Sequence, residues 1–361
     1  MDTFAFIIHP IDPKRDVSRK YPFLGRVLNE RQIDFFSTFF PPVYISEIEG
    51  VTSAATGKQI KGWFLACPYT PRRMMELPVR VVYRKIIQTG RMAERLGARI
   101  LGLGAYTAVV GDAGITIAKA LDVPVTTGDS YTVSVAVQAL RKASEMMEIP
   151  LQKTAAAVVG ATGAIGRACA AVLADEVPRL YLIGRRMQAL ERIREKMAVS
   201  ARAELIPSTD MSVLADAQAI LSATSAVRDV IPAETLRPGS VICDVAQPRD
   251  VSAMVARARD DILVIDGGMV DVPGPVNFHF NFGLPPGKAY ACMAETMALA
   301  LEGRFEDYTL GRRISRDRVA EITAIAEKHG FRLSGFRSFE REVTLQDIER
   351  IRENARKRTH R

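Results

Sequence analysis

Cysteine is scarce and scattered, with four in all, at positions 67, 169, 243 and 292, no C-x-x-C pair and no neighbouring histidine. That pattern excludes a disulfide framework and a cysteine-based zinc site, and a reducing cytoplasm is the expected compartment. No stretch approaches the ~20 consecutive apolar residues that a membrane-spanning helix needs. The start, MDTFAFIIHPIDPKRD, lacks a basic segment leading a long apolar core, so a secretory leader is not expected. Acidic residues are outnumbered, 41 against 49 basic, and the formal charge of +8 favours an acidic partner: nucleic acid, an anionic membrane surface or an acidic carrier protein. With 48% apolar and 25% charged residues, the 361-residue chain is long enough for two domains with cores of their own.

The stretch Thr154–Leu173, TAAAVVGATGAIGRACAAVL, organises what is present. Ala155–Val159 is an apolar run of the kind that forms a buried parallel strand, and an alanine-rich helix is expected from about Ala164. Between them, Gly160 permits a positive φ, Gly163 lets a pyrophosphate approach the backbone, and Gly166 lets the helix pack closely on the strand. Thr162 and Ile165 complete this turn, whose free N–H groups suit phosphate oxygens. The spacing is G-x-x-G-x-x-G rather than G-x-G-x-x-G, so context carries the reading. The next strand, Arg179–Ile183, runs into Gly184-Arg185-Arg186, where an NAD-binding unit would place an acid on the ribose 2′-OH. Two guanidiniums there suit a 2′-phosphate by charge and forked geometry, so the expected cofactor is NADPH. Arg185 and Arg186 could instead simply open the charged helix Met187–Met197.

Before the turn, strands are expected at Thr3–Ile8, Val43–Ile48, Gln59–Ala66, Arg99–Leu103 and Val123–Thr126, with Thr56-Gly57-Lys58 closing a hairpin. Leu77–Leu96 has an apolar helical face, and Arg80, Arg84, Lys85, Arg91 and Arg95 occupy the rest. This basic amphipathic helix, with Arg72 and Arg73 upstream, is the candidate docking surface for an acidic partner, although a charge run is ordinarily a solvated face. Thr107 lies in the glycine-rich stretch Gly102–Gly114, and Thr127, Asp129 and Thr132 flank the start of a long helix, Ser130–Met147. These four are the expected substrate-side residues, with helix capping as the alternative role of Asp129.

After the turn, strands at Ala203–Ile206, Asp216–Ser222, Ser240–Val245 and Ile262–Ile265 alternate with helical stretches. The expected fold is α/β: a doubly wound parallel, Rossmann-type NADP-binding sheet plus an N-terminal α/β substrate and partner domain. Ligands of such sheets lie at the carboxyl ends of the strands. Thr224, Ser225 and Ala246, with Gln247 and Pro248 and the pair Gly267-Gly268, are accordingly expected around the nicotinamide. The domains are drawn at 1–150, 151–268, 269–330 and 331–361, the third an active-site loop with helices and the last a basic, exposed helical tail. In that tail Thr344 and Asp347 form a capping box.

A thiol at a helix N-terminus has its thiolate favoured, and Cys292, opening AYACMAETMALALEG, meets that description. Cys67, at a strand end before Pro68, is its rival; Cys169 and Cys243 fall inside apolar elements. A cysteine nucleophile beside NADPH suggests reduction of an acyl thioester to an aldehyde. Glu295, one turn on, and His279 are then the nearest proton-transfer candidates.

The stretches TGKQIKGWFLACPYTPRRM, VVYRKI, TTGDSYT, VVGATGAIG with LYLIGRR, YACMAETMALALEG and GRRISRDRVAEI with EKHGF resemble the long-chain acyl-[acyl-carrier-protein] reductases of cyanobacteria, over about Phe4–Phe331. The resemblance implies an NADPH-dependent, aldehyde-forming enzyme, and through Ala291-Cys292-Met293-Ala294-Glu295 it carries the catalytic cysteine to Cys292. It likewise carries the nucleotide turn to Gly160, Gly163, Gly166 and Arg185. The implied partner is acyl carrier protein, or coenzyme A as the acyl carrier, with an aldehyde-consuming enzyme downstream and no nucleic acid; peripheral membrane contact stays open. The loop around NFHFNFGLPPG departs from the family pattern, which leaves the role of His279 unsupported by it. SATS at 222–225 and CDVAQPRDV at 243–251 resemble the nucleotide domains of glutamyl-tRNA reductase and shikimate dehydrogenase. Two rivals remain: an NADP-dependent alcohol or hydroxy-acid dehydrogenase without a nucleophile, and a non-catalytic NADP-binding regulator.

Overall fold

The structure, a computed structural model, describes residues 1–226, 230–246 and 249–359. The chain forms two compact units. The first comprises Met1–Tyr131, Val270–Arg313 and Ala320–Arg332; the second comprises Thr132–Met269, Ile314–Val319 and Leu333–Arg361.

In the first unit, strands β1 (Asp2–Ile8), β2 (Val43–Thr52), β3 (Gln59–Ala66), β4 (Leu101–Leu103) and β5 (Val125–Thr126) form one sheet in the order β2-β3-β1-β4-β5. All neighbours run parallel except β2 and β3, which form the expected hairpin with Val51 opposite Ile60. Phe4–Ile7 of β1 are all buried, because a mostly parallel sheet is covered on both faces. Alternation sends Ala5 and Ile7 toward Val82, Ile86 and Ala93 of the basic helix Val79–Arg95. The opposite face, with Phe6, meets the helix Ala291–Glu302 at Gly102, where an added Cβ would lie 2.2 Å from Thr296 Oγ1 and 2.4 Å from the Phe6 ring. Ten of that helix's twelve residues are buried, as its nearly continuous apolar sequence requires, and Gly303 ends it at φ +79°.

The segment 269–288, expected to be a long active-site loop, is strapped to this sheet. Asn277 bridges Glu49 of β2, and the buried Phe278 stacks on Phe64 of β3 at 5.6 Å. Phe282 closes the cluster, 5.1 Å from Phe64 and 5.0 Å from Phe278.

In the second unit, β6 (Ala156–Val159), β7 (Arg179–Ile183), β8 (Glu204–Ser208), β9 (Ala219–Ser222), β10 (Val241–Asp244) and β11 (Leu263–Asp266) form a six-stranded parallel sheet ordered β11-β10-β9-β6-β7-β8. This is the doubly wound arrangement expected from the sequence, with the reversal of strand order between β6 and β9. Helices Ala164–Leu173 and Met187–Ala198 connect β6 to β7 and β7 to β8. The long helix Asp129–Met146 places Val133, Ala136, Val137 and Leu140 in the core on one face.

The unit boundaries differ from those drawn on the sequence. The long helix joins the nucleotide sheet from Thr132 onward, and the segment 270–313 completes the first sheet rather than standing apart. The terminal helix Leu345–Thr359 is packed rather than loose: Ile348 joins the core of the second unit, and Arg352 and Arg356 pair with Glu148. Its capping box forms as expected, with Asp347 accepting from Thr344 N–H at 3.1 Å and donating its own N–H to Thr344 Oγ1 at 3.2 Å.

Candidate functional site

The nucleotide turn belongs to the second unit. Gly160 sits at φ +86°, and a Cβ there would lie 2.5 Å from the Ala223 carbonyl oxygen, so the chains leaving β6 and β9 approach too closely for any side chain. Gly166 is packed on the same turn, its hypothetical Cβ 2.3 Å from Gly160 O. Gly163 is the N-cap of the helix Ala164–Leu173 with φ −72°, an ordinary conformation, and no side chain caps that helix. Its role is access rather than backbone freedom, since Thr162 and Gly163 are exposed and Ile165 is half-buried against the core. An uncapped helix start beneath an exposed glycine turn fits the pyrophosphate of a nicotinamide dinucleotide. Arg185 and Arg186 are exposed just beyond β7 and, among the described residues, neither pairs with a carboxylate.

The loops after β9 and β10 are built around two buried acids. Asp250 accepts from Ser222 Oγ at 2.6 Å, from Thr224 N–H at 3.0 Å and from the Thr224 hydroxyl. Asp244 accepts the N–H groups of Ala246, Asp250 and Val251 at 2.8–3.0 Å, while burial pushes its own pKa up to about 7. Thr224 and Ala246 therefore spend their donors shaping the loops, and any contact they make with a cofactor is through other atoms. Ser225 is exposed on the same loop. Gln247 and Pro248 lie outside the described residues.

The thiol site belongs to the first unit, at the carboxyl end of its sheet. Cys292 opens the helix Ala291–Glu302 and is the one cysteine of four that is not buried. Gly128, just past β5 at φ +76°, presses on it: a Cβ on Gly128 would lie 2.3 Å from Cys292 Cα and 2.4 Å from its Cβ. Glu295, one turn further along the helix, is fully buried. It accepts from the hydroxyls of Thr126 and Thr309 (2.8 Å for the latter) and from Tyr131 N–H at 2.8 Å. Both oxygens are thus bonded, and Glu295 anchors the 126–131 turn.

Asp129, buried at the start of the long helix, is the acid whose charge acts most on the thiol. Burial, and then the charge of Glu295, push its pKa up to about 7, with the Thr127 hydroxyl bond opposing. Burial and then the Asp129 carboxylate push the Cys292 thiol up to about 12. The N–H groups at the helix start favour the thiolate as expected, while desolvation and the charges of Asp129 and Glu295 oppose them. Cys67, the sequence rival, is fully buried and is also pushed up to about 12 by burial alone.

The remaining candidates separate. Thr127 is buried beside this site, its hydroxyl donating to Thr309 O at 3.1 Å. Thr107 is buried in the turn after β4, closing it through bonds with Gly104 at 2.8 and 3.0 Å. Thr132 is half-buried on the part of the long helix that belongs to the second unit. His279 is exposed on the strapped loop at φ +48°, its Nε2 3.3 Å from Glu49 Oε2, so its partner is an edge-strand carboxylate. Two residues went unnoticed in the sequence. Gly128 carries the close contact with Cys292, signalled only by a glycine between a strand end and a helix start. His9, directly after β1, is buried and neutral, its Nε2 accepting Tyr106 N–H at 3.0 Å and its pKa lowered to about 4 by burial.

A model of the shikimate/quinate 5-dehydrogenase family matches residues 141–266, the stretch that holds the nucleotide sheet. The chain is 31% identical over 300 residues to the aminotransferase PigE of a Serratia species, covering 82% of this chain and 35% of that protein, so it spans about a third of that relative's length. It is 26% identical over 347 residues to the long-chain acyl-[acyl-carrier-protein] reductase of Synechococcus elongatus, covering 91% of this chain and 98% of that one. Among solved structures, the L-tryptophan dehydrogenase of Nostoc punctiforme aligns over 99% of this chain and 89% of its own, with a TM-score of 0.42 and 14% identity.

Proposed function

We propose that this chain is an NADPH-dependent reductase that converts a long-chain acyl thioester, carried by acyl carrier protein or coenzyme A, to the aldehyde through an acyl-enzyme on Cys292. The observation that carries this reading is that Cys292, alone among the four cysteines, is not fully buried, and that it sits at a helix start pressed by Gly128, with the buried Asp129 next in the same turn. The end-to-end similarity to an acyl-[acyl-carrier-protein] reductase supports the substrate class.

Gly160, Gly163 and Gly166 would hold the pyrophosphate, and Arg185, with Arg186, the 2′-phosphate. The chemistry NADPH supplies when bound is a hydride for the acyl carbonyl carbon. The chain's own residues handle the thiol and the protons. Cys292 loses its proton to Asp129, a transfer that removes the negative charge opposing the thiolate, so the two pKa shifts relax together. Sγ then forms a bond to the thioester carbonyl carbon, the bond from that carbon to the carrier sulfur breaks, and Asp129 returns the proton to the leaving thiolate. After reduction, cleavage of the carbon–Sγ bond frees the aldehyde and leaves the Cys292 thiolate, which takes up the one proton the overall reaction consumes from solvent and so restores the thiol. Glu295 fixes the 126–131 turn so that Gly128 and Asp129 stay against Cys292 throughout. The aldehyde belongs to the carbonyl class that aminotransferases accept, and one relative that contains this region in a longer chain bears that name; an aldehyde-consuming enzyme is the proposed downstream partner.

Intact mass spectrometry after mixing with acyl-carrier thioester, without cofactor, tests the covalent step. One acyl adduct per chain, mapping to Cys292 and absent from Cys292→Ala, is expected, while the variant keeps its NADPH binding. Full turnover by Cys292→Ala sinks the proposal. A second reading, a shikimate-type hydroxyl dehydrogenase, is favoured by the family match over residues 141–266. It has no use for Sγ, so its activity survives alkylation of Cys292.

A further inference from the structure

The helix Glu30–Ser37 is folded with its polar side inward. It buries Ile33, Asp34 and Ser37, and it exposes Phe35 and Phe36. A buried polar network fixes this orientation: Asp34 accepts from the Thr70 hydroxyl, and Arg73 Nε lies 3.0 Å from Asp34 Oδ2. Rolling the helix to hide its rings would take Asp34 away from the Thr70 hydroxyl and from Arg73, leaving a buried carboxylate unpaired. Five phenylalanines fall within residues 23–40, and all are exposed, Phe23 by 74% and Phe39 by 70%. Phe35 packs edge-on to Phe36 and Phe39 at 5.5 and 5.6 Å, so these three rings form a contiguous patch.

The patch borders a cationic groove. Phe39 and Pro41 form one wall of a cavity of about 550 Å³, and Lys85, Arg91, Met92 and Arg95 of the basic helix form the other. Lys85 Nζ ties the two together by donating to Phe40 O at 2.8 Å. No carboxylate lines that groove among the described residues. Arg26 and Arg31, with Glu30 between them, are also exposed in this segment, for a net charge of the same sign.

We propose that residues 22–40, with the cationic groove beside them, form an interfacial docking surface for an anionic lipid bilayer. Cations beside a cluster of exposed rings match the two components of such a surface, with anionic headgroups taking the lysine and arginines and the headgroup–acyl boundary taking the phenylalanines. A folded protein partner of acidic character would satisfy the groove, but it needs walled pockets to desolvate rings that stand out from the surface, whereas a bilayer adapts its shape to them. The inference stands on the first unit's surface alone and goes beyond the proposed chemistry.

Co-sedimentation of the full-length chain with phosphatidylcholine vesicles, with and without about 30% phosphatidylglycerol, tests it. The wild type is expected to pellet with the anionic vesicles at low salt and about tenfold more weakly with the neutral ones. Phe35→Ser/Phe39→Ser is expected to bind both about tenfold more weakly, and Arg91→Glu/Arg95→Glu to lose the preference for anionic lipid. Matching thermal melts establish that the variants are folded, and single Phe39→Ser, at an exposed position, serves if the double variant is not. A wild type that stays in the supernatant with anionic vesicles overturns the proposal, as does a folded serine variant that binds unchanged. A self-association that Phe39→Ser dissolves, or acyl carrier protein binding at this patch with no vesicle binding, assigns the surface to a protein and equally overturns it.

Discussion

Asp129 carries two consequences of opposite practical sign. Its folded-state pKa of about 7 lies above the ordinary carboxyl value, so the native state holds an extra proton between roughly pH 4 and 7. Stability contributed by that proton is present at low pH and is lost as pH rises through 7. Asp129→Asn removes the loss and is expected to raise stability above pH 7 by about 2–4 kcal/mol, measured by denaturant unfolding. The same substitution removes the base proposed for Cys292. In the wild type, kcat/KM for thioester reduction should rise with pH through about 7, and in Asp129→Asn that limb should vanish with at least a roughly hundredfold loss of rate. A variant that is both more stable and still fast would show Asp129 to be a packing acid. At the other site, Arg185→Ala should weaken NADPH at least about tenfold and NADH hardly at all, as read by fluorescence titration. Equal losses for the two would remove the 2′-phosphate assignment.

At the scale of elements, two glycines are held by neighbours rather than by their own flexibility. Gly166→Ala keeps an ordinary backbone angle but drives a methyl to 2.3 Å from Gly160 O, so helix and strand must part at a cost of about 1–3 kcal/mol. Gly128→Ala adds left-handed strain of about 1 kcal/mol to a 2.3 Å overlap with Cys292 Cα. Gly128→Ala should therefore reduce acylation of Cys292 while leaving nucleotide affinity intact; Gly166→Ala should do the reverse, and binding and adduct assays on both separate them. The glycine turn was legible because its pattern is local: apolar strand, spaced glycines, alanine-rich helix. Gly128 was not, since what makes it necessary is a residue more than 160 positions later. The charges that oppose the thiolate are illegible for a related reason. Helix position can be seen in a sequence, but the burial of two acids beside the sulfur cannot.

For the whole molecule, local patterning yielded the strands almost one by one and both sheets in kind. What it could not yield was which segments return. The helix Ala291–Glu302 covers β1 and β4, and Phe278 stacks on Phe64, though neither pairing has a signature in the intervening chain. The boundary near residue 150 thus cuts the first unit away from its own cover. A fragment of residues 1–150 should accordingly be insoluble or melt without cooperativity, since Phe4 and Phe6 lose the helix that covers them. A sharp calorimetric transition from that fragment would show the N-terminal sheet to be self-sufficient.

One helix, Ala291–Glu302, is at once the roof beam of a sheet and the mount of the Cys292 sulfur. Because ten of its residues are locked in the interior, evolution has little liberty to retune that mount without endangering the building. Any change in what the Cys292 site admits must therefore accumulate in the turns beyond the strand ends, with the beam itself inherited nearly untouched.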